Sequence, residues 1–210
     1  MKDMTLINVI FDKSGSMSVI AQEAVGMYNG FLEDQQKLPG YAELSLVQFD
    51  DRYENFYTRV PIKDCQPLVC GETYVPRGLT ALHDAVGRTI NKIGADLEKL
   101  SEEERPDKVL FIVITDGAEN ASKEFTGDVV KNMIDHQKKE YNWDFIFLAA
   151  GINAFDEGSK IGMDAGKCAT FSKSAAGMRA GGQSMSAYTA AYRSTGDTTA
   201  VVENSDEGRV

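Results

Sequence analysis

The most constraining feature of this 210-residue chain is an uninterrupted apolar run near its middle. The run is Val109–Thr115, V-L-F-I-V-I-T, and it is followed directly by Asp116 and Gly117. A continuous run of this kind, rich in β-branched residues, is typical of a central strand that is covered on both faces. The chain is therefore expected to place helices above and below a sheet, with a carboxylate at the end of its central strand.

A second apolar run, Leu6–Phe11, ends in the same way at Asp12 and leads into a short turn. In a locally extended segment Asp12, Ser14 and Ser16 project to one side, because they are spaced two residues apart. Carboxylate and hydroxyl oxygens are hard donors that suit Mg²⁺, Mn²⁺ or Ca²⁺ rather than a soft metal. The same residue types also form ordinary turns and N-caps, so this segment alone leaves both interpretations open.

A third segment, Arg77–Ala85, is a glycine-containing loop that runs into a helical pattern and carries Thr80 near the start of the helix. In an open parallel sheet, ligands bind outside the carboxyl ends of the strands. We therefore expect Thr80 to gather with Asp12 and Asp116 at that edge.

Strand and helix patterns alternate along the chain, and this alternation predicts an α/β fold. The expected architecture is a doubly wound, Rossmann-like sheet of six mostly parallel strands with helices on both faces. The predicted strands cover residues 5–11, 42–49, 53–60, 108–115, 143–150 and 167–171. The predicted helices cover residues 17–38, 81–100, 126–139, 154–162 and 176–194.

Taken together, the segments D-K-S-G-S-M, G-L-T-A-L and T-D-G resemble the von Willebrand factor A (vWA) domain, of the intracellular type found in bacteria and phage. The resemblance covers roughly residues 5–195. The three segments are similar to its metal-ion-dependent adhesion site (MIDAS), D-x-S-x-S…T…D, and every position of that motif is filled. The resemblance also implies that strands 42–49 and 53–60 pair antiparallel at the edge of the sheet.

By this resemblance one divalent ion is held by five side chains: Asp12, Ser14, Ser16, Thr80 and Asp116. The sixth coordination position is left to a water or to a partner's carboxylate. The expected ion is Mg²⁺, with Mn²⁺ or Ca²⁺ as alternatives. Lys13 and Arg77, in neighbouring loops, are candidates to pair with an acidic ligand, and ordinary solvated loop charges are the alternative for each.

The implied function is a metal-dependent protein–protein interaction module that binds an Asp or Glu of a partner, with no catalytic residues and no enzymatic activity. Two alternatives stay open: a metal-dependent phosphohydrolase, and a regulatory adaptor subunit of an AAA+ ATPase or stress-response complex. The hydrolase is less favoured, because the chain has no glycine-rich phosphate-binding motif. A hydrolase should also show a general base, and His83 is the only histidine near the site in sequence.

Composition limits the partners and the compartment. A net charge of −10 argues against a nucleic-acid partner that is bound through phosphates. We expect no signal peptide, because the first residues lead straight into a predicted strand, and the sequence contains no apolar run of membrane-spanning length. The three cysteines, Cys65, Cys70 and Cys168, form no C-x-x-C pair and favour a reducing compartment, so we expect a cytoplasmic protein without membrane contact.

The chain divides into a predicted vWA domain at residues 1–195 and an acidic, flexible tail at residues 196–210. The tail carries Glu203, Asp206 and Glu207, whose carboxylates are potential ligands for the metal of the same or another copy. Self-association through the tail is therefore one expectation, and a solvated tail without a ligand role is the alternative.

Overall fold

The computed structural model describes residues 3–197 and 199–202. Six strands form one sheet: β1 (Met4–Asp12), β2 (Tyr41–Phe49), β3 (Tyr53–Pro61), β4 (Lys108–Thr115), β5 (Asp144–Ala150) and β6 (Cys168–Phe171). Their order is β3-β2-β1-β4-β5-β6. All neighbours pair parallel except β2 and β3, which are antiparallel at one edge. The predicted fold class is confirmed.

Five α-helices cover the sheet: α1 (Ala21–Lys37), α2 (Leu82–Glu98), α3 (Gly127–Tyr141), α4 (Ala154–Lys160) and α5 (Ala175–Thr195). Alternate side chains of β1 enter two separate cores, as expected for a strand that is covered on both faces. Val9 packs in the core that α1 and α5 cover, whereas Ile10 packs in the core that α2 and α3 cover. This double winding buries both faces of the central strands.

The first helix begins later than the sequence pattern predicts. The chain forms a 3₁₀ helix over Gly15–Ile20, and the regular α-helix starts only at Ala21. Met17 and Ile20, three residues apart, are both buried. A 3₁₀ helix has three residues per turn and therefore directs both side chains into the core. The turn that carries Ser16 is consequently tighter than an α-helical N-terminus.

The beginning of the predicted tail contacts the domain. Gly196 ends α5 in a left-handed conformation, with φ of 69°. Further on, the backbone N–H of Val202 donates to the carbonyl of Gly166 at 2.8 Å, and the Val202 side chain is buried. Glu203, Asp206 and Glu207 lie outside the described residues, so the tail's flexibility and its role as a ligand stay predictions.

Within the described part of the chain, no helix combines the length and the apolar character that crossing a membrane requires.

Candidate metal centre

The two aspartates of the predicted site lie side by side because their strands are neighbours. Asp12 is the last residue of β1, and Asp116 directly follows β4. The two strands pair parallel, with Phe11 opposite Ile114, so both carboxylates reach the same edge of the sheet. Both are almost fully buried, at 0% and 2% exposure. Two buried carboxylates in one place require a compensating positive charge or hydrogen-bond donors.

Hydroxyl groups of the β1–α1 turn connect to the second carboxylate. Ser16 Oγ donates to Asp116 Oδ1 at 2.5 Å, and Ser14 Oγ lies 3.1 Å from Ser16 Oγ. The backbone N–H of Ser14 donates to Asp12 Oδ1 at 2.6 Å, which holds the turn against the end of β1. Four of the five predicted ligands therefore form one continuous set of contacts.

Thr80 lies in a loop that is hydrogen-bonded to the loop carrying Asn120. Its backbone N–H donates to Asn120 Oδ1 at 2.9 Å, and the Asn120 N–H donates back to the Thr80 carbonyl at 3.0 Å. A Cβ placed on Gly117 would lie 3.4 Å from Thr80 Oγ1 and 3.5 Å from Ser16 Oγ. The two hydroxyls thus approach the same point above Gly117. The structure brings all five predicted residues together.

The donor set fits a hard cation. It consists of two carboxylates and three hydroxyls, all oxygen donors of the kind that Mg²⁺, Mn²⁺ and Ca²⁺ accept. Across residues 3–197 and 199–202, no group of three or more His, Cys, Asp or Glu side chains is arranged to hold a metal. An ion at this site would therefore depend on the serine and threonine oxygens. Metal binding itself stays a prediction.

The Asp12 carboxyl is poorly stabilised as an anion when no cation is present. Burial, with a smaller contribution from the nearby Asp116, raises its pKa to about 6, against an ordinary value of 3.8. Hydrogen bonds from Thr115 Oγ1, at 2.6 Å, and from Ser14 oppose this shift only in part. A cation between the two aspartates would favour the ionised form of both.

The structure adds a residue that the sequence pattern did not identify. Lys173 Nζ donates to Asp116 Oδ2 at 2.7 Å and forms an ion pair with it. Lys173 lies two residues beyond Phe171, the last residue of β6. Its position at the carboxyl end of a strand was the one signal available in the sequence.

The loop that carries Asn120 is held by two carboxylates. Asp84 accepts the backbone N–H groups of Lys123, Glu124 and Phe125 at 2.8–2.9 Å. Glu119 accepts the N–H groups of residues 83, 121 and 122. Burial alone would raise the pKa of both carboxyls, but these backbone hydrogen bonds outweigh it and lower both pKa values. Both residues are structural anchors of the site.

The two basic residues expected to meet an acidic ligand are instead paired within the chain. Lys13 is 4% exposed and pairs with Glu54. Arg77 pairs with Asp50 at 2.8 Å and also with Glu54. The β2–β3 hairpin supplies both acidic residues beside the site, so these two cations stabilise its loops. Lys13, which is buried in its ion pair, is therefore not exposed to a ligand, and a ligand role for Arg77, whose side chain is 45% exposed, stays a prediction.

The long loop before Thr80 is anchored to the end of β1. Tyr74 is fully buried, and its ring stacks on Phe11 with centroids 4.8 Å apart. Its hydroxyl donates to the Asp12 carbonyl at 2.5 Å. This contact positions the loop and the Asp12 backbone together.

Comparison with known proteins gives structural relatives only. No protein-family model matches the chain, and no curated protein does. Proximal thread matrix protein 1 from the mussel byssus superposes with a TM-score of 0.60 at 16% identity, over 89% of this chain and 46% of that chain. A von Willebrand factor type A structure from Catenulispora acidiphila gives a TM-score of 0.58 at 15% identity, over 88% of this chain and 42% of that chain.

The fold is that of a von Willebrand factor A domain. A second structure of the mussel protein, with a TM-score of 0.60 and 18% identity over 89% of this chain and 46% of that chain, has a zinc-occupied MIDAS motif. At these identities the likeness concerns the fold alone. The chain spans less than half the length of each of these solved structures.

Proposed function

We propose that this chain is a divalent-metal-dependent protein–protein interaction module of the vWA type. In this proposal the five clustered residues of the candidate metal centre hold one Mg²⁺, and the metal binds an Asp or Glu carboxylate of a partner protein. The observation that carries the proposal is the continuous set of hydrogen-bonded contacts from Asp12 through Ser14 and Ser16 to Asp116, in which both carboxylates are buried and Ser16 is exposed.

The chemistry of the ion explains why a carboxylate would be the ligand. Mg²⁺ takes six oxygens in a near-octahedral shell, at about 2.0–2.1 Å. Two carboxylates balance its charge, and the hydroxyls of Ser14, Ser16 and Thr80 add donors without adding charge. A further anionic oxygen can then complete the shell. The zinc-occupied MIDAS of the mussel protein supports a divalent ion at this place in the fold, and Mg²⁺ is our choice because every donor is a hard oxygen.

Exposed apolar side chains near the site support a protein partner. Val19, Leu79 and Phe155 are 76%, 58% and 46% exposed. They lie in the 3₁₀ turn after Ser16, directly before Thr80, and at the start of α4 after β5. Two of these segments follow the carboxyl ends of β1 and β5, and the third directly precedes a site residue, so all three belong to the edge of the sheet where the site lies. Apolar side chains around a charged centre are typical of protein interfaces.

Binding is favoured over hydrolysis because Asp12, whose pKa is about 6, is assigned here as a metal ligand, and the two carboxylates that hold the neighbouring loop are unsuited to act as a general base. A general base works best when its pKa lies near the working pH. Asp84 and Glu119 have lowered pKa values and are saturated by backbone N–H donors. We therefore propose that the chain is not an enzyme. An adaptor role beside an AAA+ ATPase or in a stress-response complex, in the cytoplasm, remains our proposal for its setting.

The direct test is calorimetric titration of the metal-free protein with Mg²⁺, with and without a peptide that carries a single Asp or Glu. We expect binding in the unmodified protein and in Asp164→Ala, whose side chain is 69% exposed and lies outside the site. Asp12→Ala and Asp116→Ala are expected to lose it while they remain folded. Absence of Mg²⁺ and Mn²⁺ binding in the unmodified protein, even with the peptide present, would refute the proposal.

The non-enzymatic part of the proposal has its own test. The unmodified protein is expected not to hydrolyse nucleotides or phosphate esters in Mg²⁺ or Mn²⁺. Metal-dependent turnover that disappears in Asp116→Ala would instead establish the phosphohydrolase alternative.

A further inference from the structure

Lys173 supplies a positive charge to the candidate metal centre. Its ammonium lies 2.7 Å from Asp116 Oδ2, while Ser16 donates to Oδ1 of the same carboxylate at 2.5 Å. Both oxygens of Asp116 thus accept a hydrogen bond from a side chain of the protein. The Asp116 side chain is fully buried, whereas the Lys173 side chain is 32% exposed. A buried carboxylate that has a partly solvated cation as its partner can exchange that partner without unfolding the core.

The Lys173 side chain reaches Asp116 by passing over the end of β5. β5 lies between β4 and β6, and neighbouring strands are about 4.8 Å apart, so Lys173 must cross the end of β5 to reach Asp116. It crosses above Gly151, which directly follows β5. A Cβ on Gly151 would lie 2.8 Å from both Cγ and Cε of Lys173, closer than atoms of this kind approach each other. The missing side chain at Gly151 leaves the space that the lysine stem occupies.

We propose that Lys173 is a built-in competitor of the metal: it neutralises Asp116 in the metal-free protein and weakens metal binding until it is displaced. This inference rests on the proposed function, because it assumes that Asp116 is a metal ligand. A divalent ion and an ammonium on the same carboxylate repel each other strongly in a buried site. The metal must therefore either displace Lys173 or bind against its charge, and in both cases Lys173 lowers the affinity.

The test compares three variants in titrations of the metal-free protein with Mg²⁺ alone. Lys173→Met removes the charge and keeps the length of the apolar stem, and Lys173→Arg keeps the charge. Lys138→Met is the matched control, because Lys138 is also 32% exposed and pairs with Asp164 at 2.6 Å, outside the site. We expect Lys173→Met to bind Mg²⁺ about tenfold more tightly or better. Lys173→Arg and Lys138→Met are expected to stay close to the unmodified protein.

Thermal unfolding supplies a second readout that does not depend on the titration. Without metal, Lys173→Met leaves a buried charge at Asp116 without its cation, and its unfolding midpoint is expected to fall by about 2–4 °C or more relative to Lys138→Met. Saturating Mg²⁺ should remove this difference, because the metal replaces the missing charge.

The outcomes separate this inference from the proposed function. If the unmodified protein binds Mg²⁺ and Lys173→Met binds it equally well, the competitor role is refuted and the proposed function stands. If only Lys173→Met binds, and the double variant with Asp12→Ala does not, the competitor role is supported and metal-dependent binding by the unmodified protein is refuted. If no variant binds Mg²⁺ or Mn²⁺, both are refuted.

Discussion

Two buried aspartates pair with lysines at opposite ends of the same sheet. At the carboxyl end Asp116, after β4, pairs with Lys173. At the amino end Asp144, the first residue of β5, pairs with Lys167 at 3.0 Å. The charges and the separations are similar, but the side chain of Lys173 is 32% exposed and that of Lys167 is 9% exposed.

The amino-end pair is closed by a third residue. The Tyr188 hydroxyl contacts both the Lys167 ammonium and the Asp144 carboxylate. The ammonium also lies 4.7 Å from the centre of the Tyr188 ring. Burial, together with the hydrogen bond to Asp144, raises the pKa of Tyr188 far above its ordinary value, so this hydroxyl remains a donor. The triad ties β5, the turn before β6 and α5 to one another.

The comparison indicates that the residues around a lysine–aspartate pair determine whether the pair is fixed or can exchange its partner. Around Asp144 the neighbours are buried and complete the hydrogen bonding, which makes the pair a structural fastening. Around Asp116 the neighbours are serine and threonine hydroxyls and a second carboxylate. The side chain of its lysine partner is partly exposed to solvent. We therefore expect Asp144 to keep Lys167 as its partner, and Asp116 to be able to exchange Lys173 for another cation.

The largest effect is expected from breaking the amino-end triad. Lys167→Met leaves Asp144 buried without its cation, so the free energy of unfolding should fall by about 3–5 kcal/mol. Chemical denaturation of the metal-free protein measures it, with Lys138→Met as an exposed control. The loss should exceed that of Lys173→Met under the same conditions. If the two losses were equal, the proposed difference between the two pairs would be wrong.

The next effect concerns pH and isolates the carboxyl-end site. The folded-state pKa of Asp12 is about 6, above its ordinary value of 3.8, so the folded protein binds this proton more tightly than the unfolded chain does. The resulting stabilisation is complete below the unfolded-state pKa and is lost as the pH rises through 6. Between about pH 4 and pH 7 the unmodified protein should lose about 2 kcal/mol relative to Asp12→Asn.

This comparison is made by denaturant unfolding in EDTA, because a bound metal would favour the ionised carboxylate. The two proteins differ only at this position, so their difference reports Asp12 together with its electrostatic coupling to Asp116. Parallel stability profiles across this pH range would show that Asp12 ionises in the folded protein as it does in the unfolded chain.

A smaller effect tests the route of Lys173. Gly151 and Gly71 both have positive φ, 68° and 83°, so alanine should strain either position by about 1 kcal/mol. A Cβ on Gly71 would meet no heavy atom of the described residues within 4 Å, whereas a Cβ on Gly151 would collide with Lys173. Gly151→Ala is therefore expected to cost about 1 kcal/mol more than Gly71→Ala.

The excess should disappear when Lys173 is shortened. In a Lys173→Ala background the two glycine variants are expected to lose the same stability, measured by denaturant unfolding. An excess that persists there would mean that another neighbour, and not the lysine stem, limits the space above Gly151.

The smallest effect is the response to salt. Raising NaCl from about 0.05 M to about 1 M screens partly exposed charges more strongly than buried ones. The stability difference between the unmodified protein and Lys173→Met should therefore shrink by about 0.5 kcal/mol, and that for Lys167→Met should stay unchanged. Equal salt responses would show that the two lysines are equally shielded.

Much of the fold and the site follows from local sequence patterns. The apolar runs that end at Asp12 and Asp116 predict parallel strands, and parallel strands bring their carboxyl ends to one edge. The boundaries of the strands agree closely with the prediction. The start of the first helix does not, because the spacing of Met17 and Ile20 suits a 3₁₀ turn that a 3.6-residue pattern does not distinguish from the helix that follows.

The partners of the charged side chains were decided only by the tertiary structure. Lys13 and Arg77 stand in loops whose sequence suggests solvent-facing cations, yet the β2–β3 hairpin brings Glu54 beside both. Lys173 lies between two serines and resembles any surface lysine in sequence. It reaches Asp116 only because β5 separates β4 from β6 and ends in a glycine.

The sequence by itself thus determined which residues could bind a cation and at which edge of the sheet they lie. Hydrophobic periodicity and strand endings are local properties, and they carry that information. The pairing of Asp116 with Lys173 was decided by the strand order and by the space above Gly151. The reason is that an ion pair between Asp116 and Lys173, 57 positions apart, depends on distances that exist only once the sheet is assembled.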